Sequence, residues 1–357
     1  MKRLRGLVTA LLVGATVGIV PSVHYGAQAA TSHMIGGDLY LLAWEGYADP
    51  SFVKPFEQQT GCTVHPTYAG SSDEMFGKFR TGGGTTYDLV SASGDASLRF
   101  IDSGVVAPVD LSKIPNWKNL APGLKSPPHN TVNGKHYGVS FMWGPDTLIY
   151  NTKVFKKAPT SWSVLYSKQY KGKITVPDNP IQIADVAVYL RYPHPYNLTA
   201  AQLAKVKSVL RAQRPLIRSY WGQAGDFESL FKNGEAVVGA GWPLMTVDLK
   251  RSGVPVAETI PKEGATGWAD TWMLSARSRH TACAYAWMNY AISPRVQKQV
   301  EAVTHYTPAN VKTAALLGPK LSVGLHVTDT KFFNTIQFWQ TPPNYTQWQQ
   351  IWTDIKG

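Results

Sequence analysis

The chain has 357 residues, of which 44% are hydrophobic, 11% aromatic and only 16% charged. This balance predicts a folded chain with a sizeable core and argues against intrinsic disorder, which needs low hydrophobicity and high net charge. Two cysteines exclude a disulfide scaffold and a multi-cysteine zinc module. The net charge is +12; residues 1–30 hold three of the 35 basic residues and no acidic one, which leaves a net charge of +9 for the remainder.

The first 30 residues have the three-part pattern of a secretory signal peptide. A basic start at residues 2–5 precedes an apolar run at 7–20 and a small-residue cleavage site at 27–29. A membrane-spanning helix is the alternative, but it needs ~20 apolar residues, and this run is shorter. We therefore predict export to the periplasm after removal of residues 1–30. No cysteine follows the cleavage site, so no lipid anchor is expected.

Strands and short helices alternate in the first third of the chain. We predict strands over 38–43, 62–68 and 87–91, with helices over 51–60, from Ser71 or Ser72 to the glycines at 82–84, and over 95–103. Pro55 is expected in the first turn of its helix, where its missing N–H does no harm. Such alternation is typical of a parallel sheet covered on both faces, which binds ligands beyond the carboxyl ends of its strands. Trp44 directly follows the first of these strands.

The same alternation returns further along the chain. Strands are predicted over 172–176, 236–240 and 254–259, and helices over 199–212, 227–233 and 280–293. Trp242 comes soon after the second of these strands, so it repeats the placement of Trp44 near a strand's carboxyl end. The sequence thus predicts two successive α/β lobes, each with a tryptophan at a ligand-binding edge.

Motifs for catalysis, metals and nucleotides are missing. The sequence has no G-x-S-x-G elbow and no H-E-x-x-H pair, and its glycine runs lack the residues of a phosphate loop or a complete dinucleotide fingerprint. The basic residues come without a nucleic-acid recognition motif, so no nucleic-acid partner is expected. We therefore predict neither catalytic residues nor a metal or other cofactor. Cys62 and Cys283 are either buried unpaired cysteines or a single disulfide, and the sequence leaves both open.

Five motifs, in order, point to one family. They are Trp44-Glu45-Gly46-Tyr47; Tyr87-Asp88-Leu89-Val90 before Ser93; Tyr170-Lys171-Gly172-Lys173-Ile174; Pro261-Lys262-Glu263-Gly264 before Trp268-Ala269-Asp270; and Tyr306-Thr307-Pro308-Ala309-Asn310. Together they resemble the spermidine/putrescine-binding proteins of ATP-driven importers, from about Asp38 to the end of the chain.

The resemblance implies an α/β, two-lobed periplasmic binding protein fold of type II, with the ligand cleft between the lobes. The N-terminal lobe would comprise 31–141 with 263–310, and the C-terminal lobe 142–262 with 311–357. The chain would cross between them near 141–146, 260–270 and 306–310.

The resemblance also implies a ligand site in which aromatic rings enclose the methylene chain of a polyamine and carboxylates hold its ammonium groups. The family's acidic positions after the strand at 172–176 are occupied here by the neutral Asn179 and Gln182, so Glu45, Asp95 and Asp270 are the candidate charges. We therefore expect a solute with one or two positive charges. The residues matched to the family's site are Trp44, Glu45, Tyr47, Ser93, Asp95, Asn179, Gln182, Trp242, Trp268, Asp270, Tyr306 and Gln340.

The predicted function is that of a monomeric periplasmic receptor that captures a polyamine-like or other small organic cation and delivers it to an inner-membrane ABC permease. Lobe closure around the ligand would create the shape that the permease recognises. The alternative is a carbohydrate-binding or carbohydrate-active protein that stacks sugars on the same tryptophans, although hydrolysis would need two facing carboxylates.

Overall fold

The computed structural model describes residues 34–81 and 84–357. The predicted signal peptide and residues 82 and 83 lie outside this described part. Its strands are β1 Gly37–Ala43, β2 Cys62–Tyr68, β3 Leu89–Ala92, β4 Val106–Ala107, β5 Thr131–Val132, β6 Lys135–His136, β7 Gly138–Pro145, β8 Thr147–Asn151, β9 Ile174–Pro177, β10 Ile217–Trp221, β11 Val238–Gly241, β12 Val256–Thr259, β13 Ala265–Ser275, β14 Thr307–Pro308 and β15 Ile336–Phe338.

Helices follow most of these strands. They are α1 Pro50–Thr60, α2 Ser72–Thr81, α3 Gly94–Asp102, α4 Pro122–Lys125, α5 Gln182–Tyr189, α6 Ala200–Gln213, α7 Ala224–Lys232, α8 Pro243–Arg251, α9 Thr281–Ala291, α10 Pro294–Thr304, α11 Ala314–Leu317, α12 Pro319–Gly324, α13 Thr330–Phe333 and α14 Tyr345–Lys356. Within residues 34–81 and 84–357, no helix is both long enough and apolar enough to cross a bilayer.

The strands form two main sheets, and both are mixed in direction. The first sheet has the order β14-β7-β13-β3-β1-β2, with β4 and β15 also paired to β13; the second has the order β10-β9-β11-β8-β12. The predicted parallel pairing is confirmed for β1 with β2 and β3, and for β9 with β11. Strand β10, which was not predicted, also runs parallel to β9. The sheets are not parallel throughout, because two strands that were not predicted run the other way: β13 is antiparallel to β3 and β7, and β8 is antiparallel to β11 and β12.

The antiparallel strands are those that carry the chain between the two sheets. Strand β7 leaves the first sheet at Pro145, and β8 begins in the second sheet two residues later. Strand β13 returns from β12 to the first sheet and pairs with β7. All residues of β13 are buried, so both faces of the strand are covered. A strand of this kind lacks the regular alternation of polar and apolar residues that would predict it from the sequence.

Helix α1 corrects the prediction for Pro55. Asp49 caps the helix and Pro50 is its first residue, so Pro55 lies inside the helix rather than in its first turn. The carbonyl of Ser51, four residues earlier, cannot receive an N–H from a proline. The side-chain amide of Gln299 donates to that carbonyl instead, at 3.5 Å.

Cys62 and Cys283 form a disulfide. Cys62 begins β2 at the edge of the first sheet, and Cys283 lies in α9, so the bond ties this helix to the sheet across 221 residues of sequence. Of the two states that the sequence leaves open, the paired state is therefore the one adopted.

Candidate functional site

A cleft lies where residues that follow strands of the first sheet face residues that follow strands of the second. It encloses about 780 Å³ of space, counting the part open to solvent. Its lining comes from the ends of β1, β2, β3, β10 and β11, from α2 and α8, from β13, and from the segments next to β14 and β15. The lining residues are Trp44, Glu45, Tyr68, Ala69, Gly70, Glu74, Ser93, Gln223, Ala224, Trp242, Leu244, Trp268, Asp270, Tyr306 and Trp339.

Seven of the twelve predicted site residues lie in this lining. They come from five separate regions of the sequence, and the two sheets bring them together because each lies within, directly after or directly before a strand that passes the cleft. The seven are Trp44, Glu45, Ser93, Trp242, Trp268, Asp270 and Tyr306.

Asp270 is the buried carboxylate of the cleft, with 2% of its surface exposed. The Tyr47 hydroxyl donates to its Oδ2 at 2.5 Å, and the Ser93 hydroxyl donates to its Oδ1. Burial raises the pKa of Asp270 to about 7, although both hydroxyl groups act to lower it. Tyr47 is fully buried and does not line the cleft, but it contacts two lining residues: it donates to Asp270, and its ring meets that of Tyr306 edge to face at a centroid distance of 6.3 Å.

Aromatic rings form the walls around this carboxylate. Trp268 meets Tyr306 edge to face at a centroid distance of 4.9 Å, and lies 5.9 Å from Trp242 and 6.3 Å from Trp339. Gly144 on β7 allows the indole of Trp268 to lie against the backbone, because a Cβ there would come within 2.7 Å of the ring. Such walls suit a solute with methylene groups and a positive charge.

Two further carboxylates line the cleft, and both are exposed to solvent. Glu45 is exposed, and it makes no ion pair within the described residues. Glu74 accepts a hydrogen bond from the Gly70 N–H at 2.8 Å and pairs with Lys78 at 2.6 Å. The pKa of Glu74 is lowered, first by the hydrogen bond from Lys78 and then by the one from Gly70.

Besides Tyr47, four predicted site residues lie outside the cleft lining. Asp95 is buried in the first turn of α3, where it accepts from the Ser72 hydroxyl at 2.8 Å, and burial raises its pKa to about 6. The Asn179 side chain accepts from the Ile181 N–H and so closes the turn before α5. Gln182 is buried at the start of α5. Gln340 lines a separate hollow with residues 193–197 and 337.

A pair of carboxyl groups, one buried and one partly buried, was not predicted. Asp146, between β7 and β8, and Asp185, on α5, both lie within hydrogen-bond distance of the Thr266 hydroxyl, at 2.6 and 2.5 Å. A hydroxyl donates only one proton, so one carboxyl must itself be protonated to donate in return. Burial raises the pKa of Asp146 to about 6 and the pKa of Asp185 well above its usual range. The Trp339 indole N–H donates to Asp146 at 3.2 Å and so connects this pair to the cleft wall.

The C-terminal helix α14 contacts both sides of the cleft. Asp73 on α2 accepts from the Tyr345 hydroxyl at 2.9 Å and from the Gln349 amide at 3.0 Å. Trp352, one turn after Gln349 on the same helix, donates at 2.8 Å to Asp178, which follows β9 of the second sheet. The helix therefore spans from the elements packed on the first sheet to those of the second.

Some of the cleft residues that the sequence analysis missed have a recognisable signal in the sequence, and others have none. Tyr68 is an aromatic residue at the end of a predicted strand, so the rule that selected Trp44 would have found it. Gln223 and Ala224 follow β10, which was not predicted. Trp339 follows β15, a strand of only three residues. Asp185 lies outside the cleft lining, but it is the single charged residue of the largely apolar α5, and that pattern could have drawn attention to the carboxyl pair.

Comparison with known protein families matches residues 51–323 to the family of bacterial extracellular solute-binding proteins. This chain belongs to that family. It is 25% identical over 286 residues to the spermidine/putrescine-binding periplasmic protein of Escherichia coli K12, covering 80% of this chain and 81% of that protein. It is 27% identical over 328 residues to the putrescine-binding periplasmic protein PotF of the same strain, covering 87% of each. A putative spermidine/putrescine ABC transporter structure from Listeria monocytogenes matches with a TM-score of 0.79 at 21% identity, covering 89% of this chain and 98% of that one.

These matches confirm the family resemblance that the motifs indicate, and with it the two-lobed α/β fold with a cleft between the lobes. The protein is a solute-binding protein. The carbohydrate alternative is not supported, because the named relatives bind polyamines. The family consists of transport receptors, which are not a class of enzymes.

Proposed function

We propose that this protein is the periplasmic receptor of an ABC importer and captures a small organic cation with one or two positive charges. The observation that carries this proposal is Asp270, a buried carboxylate held by two neutral hydroxyl groups inside a cleft walled by aromatic rings. Its hydrogen-bond donors add no positive charge, so a positive group of the solute is the natural partner for its negative charge. The names of the relatives support a polyamine-like solute and an ABC permease as the partner.

In this proposal one ammonium group of the solute binds Asp270, and the adjoining methylenes lie between Trp44, Trp242 and Trp268. An ammonium over an aromatic face gains about 0.5–2 kcal/mol, depending on how far it is desolvated. A second ammonium would meet the exposed carboxylate of Glu45. Asp95, the other candidate from the sequence, does not line the cleft, and this favours Glu45 as the second anchor.

The proposed lobes comprise 31–141 with 263–310 and 142–262 with 311–357, and they close on the solute to form the shape that the permease recognises. The proposal further holds that residues 1–30 direct export and are removed, that the receptor acts as a monomer, and that it catalyses no reaction on its solute. Capture and release would then be the whole of its activity.

A thermal-shift screen of amines, amino acids, osmolytes and sugars tests the proposal. A solute that binds only the folded state at 100 times its Kd stabilises that state by about 2.7 kcal/mol. We expect putrescine or another small amine to raise the melting temperature and sugars to leave it unchanged. Stabilisation by a sugar or an anionic solute, with none by any amine, would contradict the proposal.

A further inference from the structure

The three carboxylates that line the cleft differ in their cationic partners. Within residues 34–81 and 84–357, Asp270 accepts only from hydroxyl groups and Glu45 makes no ion pair. Glu74 alone is paired with a cation of its own chain, Lys78. Two carboxylates are therefore free to meet ammonium groups of a solute, and the third is already neutralised.

The Glu74–Lys78 pair is fixed in place by groups of the cleft lining. One carboxylate oxygen accepts from the Gly70 N–H at 2.8 Å, and the other lies 2.6 Å from the Lys78 Nζ. The same Nζ donates to the Tyr68 carbonyl at 3.1 Å. The four-residue spacing on α2 places the two side chains on one helix face, with Glu74 nearer the N-terminus, the favourable order for such a pair.

The lining residues that the second sheet contributes near Glu74 are uncharged; the nearby Asp226, which accepts from the Gln223 N–H at 3.0 Å, is not part of the lining. Gln223 and Ala224, at the start of α7, line this end of the cleft from the second sheet. Gln223 approaches Gly70 so closely that a Cβ on the glycine would lie 3.0 Å from the glutamine Cγ. A third ammonium group reaching this end would find neutral groups and a carboxylate that already holds an ammonium.

We propose that Lys78 determines how many ammonium groups the cleft accepts: its tethered ammonium holds Glu74, so that solutes with two ammonium groups are preferred to solutes with three. This inference rests on the proposed function. It makes Lys78 a specificity-determining residue that acts through Glu74 rather than through contact with the solute.

The test compares putrescine, a diamine, with spermidine, a triamine, in calorimetric titrations of the wild type and of Lys78→Met. Methionine keeps the length of the stem and removes the charge. We expect spermidine affinity to rise by about threefold to fivefold, the fold-change that matches an exposed ion pair, with putrescine affinity changed by less than about twofold. Adding Glu74→Gln to Lys78→Met should remove the gain.

Lys232→Met is the matched control. Lys232 pairs with Glu228 at 2.9 Å with the same four-residue spacing on α7, and neither residue lines the cleft. This variant lowers the net charge equally, so it reports the long-range effect of charge alone, and we expect it to leave the spermidine-to-putrescine ratio unchanged. Melting curves verify that both variants fold.

The outcomes separate the role of Lys78 from the receptor function of the protein. Binding of both amines with the same ratio in the wild type and Lys78→Met, or an equal gain in Lys232→Met, would overturn the role of Lys78 and leave the receptor function intact. Failure of the wild type to bind either amine would overturn this inference, and the thermal-shift screen would then decide separately whether the receptor function holds for another small amine.

Discussion

Protonation of Asp270 should control solute affinity between pH 6 and pH 8. Burial raises its pKa to about 7 in the free protein, so the carboxyl is neutral below that pH and negative above it. An aliphatic ammonium group stays charged across this range, because its pKa is near that of lysine, about 10.4. Only the protein partner of the proposed pair therefore titrates, and the solute should bind more weakly as the pH falls.

The size of the effect follows from the fraction of protein that is competent to bind. With a pKa of about 7, roughly nine-tenths of Asp270 is ionised at pH 8 and one-tenth at pH 6. Apparent affinity scales with that fraction, so the Kd should rise about tenfold from pH 8 to pH 6. Asp270→Asn should remove this dependence and weaken binding at pH 8 by about 30- to 150-fold, the loss of a charge-assisted interaction worth about 2–3 kcal/mol.

Isothermal titration calorimetry at several pH values measures both effects, with the melting temperature of each protein recorded beside it. Asp95 and Asp146 have pKa values of about 6, so they could add to the slope near the acidic end. Asp270→Asn separates these contributions, because they would persist in the variant. A wild-type affinity that is flat from pH 6 to pH 8, or a tenfold slope that survives in Asp270→Asn, would refute the reasoning.

Three further predictions concern the walls, the disulfide and the C-terminal helix. Trp242→Ala should weaken binding by about 2 kcal/mol with little loss of stability. The indole of Trp268 is 4% exposed, so Trp268→Ala should weaken binding and also lower the free energy of unfolding by about 3–5 kcal/mol. Calorimetry measures the binding loss and urea unfolding measures the stability loss. Reducing the Cys62–Cys283 bond should cost about 2–4 kcal/mol of stability, and an unchanged melting temperature in dithiothreitol would argue against a stabilising role. Tyr345→Phe removes a hydroxyl that links α14 to α2, so stopped-flow fluorescence should show faster solute release, and an unchanged rate would mean that this contact does not hold the cleft closed.

The sequence predicts the parallel strands of both sheets except β10, and most of the aromatic wall, because each depends on local order along the chain. Trp44 and Trp242 could be found from their positions near strand ends, and Asp270 from a motif. The direction of β13 could not be predicted, since it depends on how the chain crosses between the sheets.

The charged residues of the site were harder to predict from the sequence than the aromatic ones. The Asp146–Asp185 pair joins residues from separate elements through Thr266, and no spacing rule connects them. Asn179 and Gln182 match family positions in the sequence but make local contacts near the start of α5 instead of lining the cleft. The number of free carboxylates in the cleft therefore had to come from the structure.

The most direct test of the receptor account is a crystal structure of the protein with the amine that stabilises it most in the thermal-shift screen. The account predicts an ammonium nitrogen at about 2.7–3.0 Å from an Asp270 carboxylate oxygen, with the adjoining methylenes between Trp44, Trp242 and Trp268. A solute bound outside this cleft, or bound within it with no positive group near Asp270, would contradict the central claim.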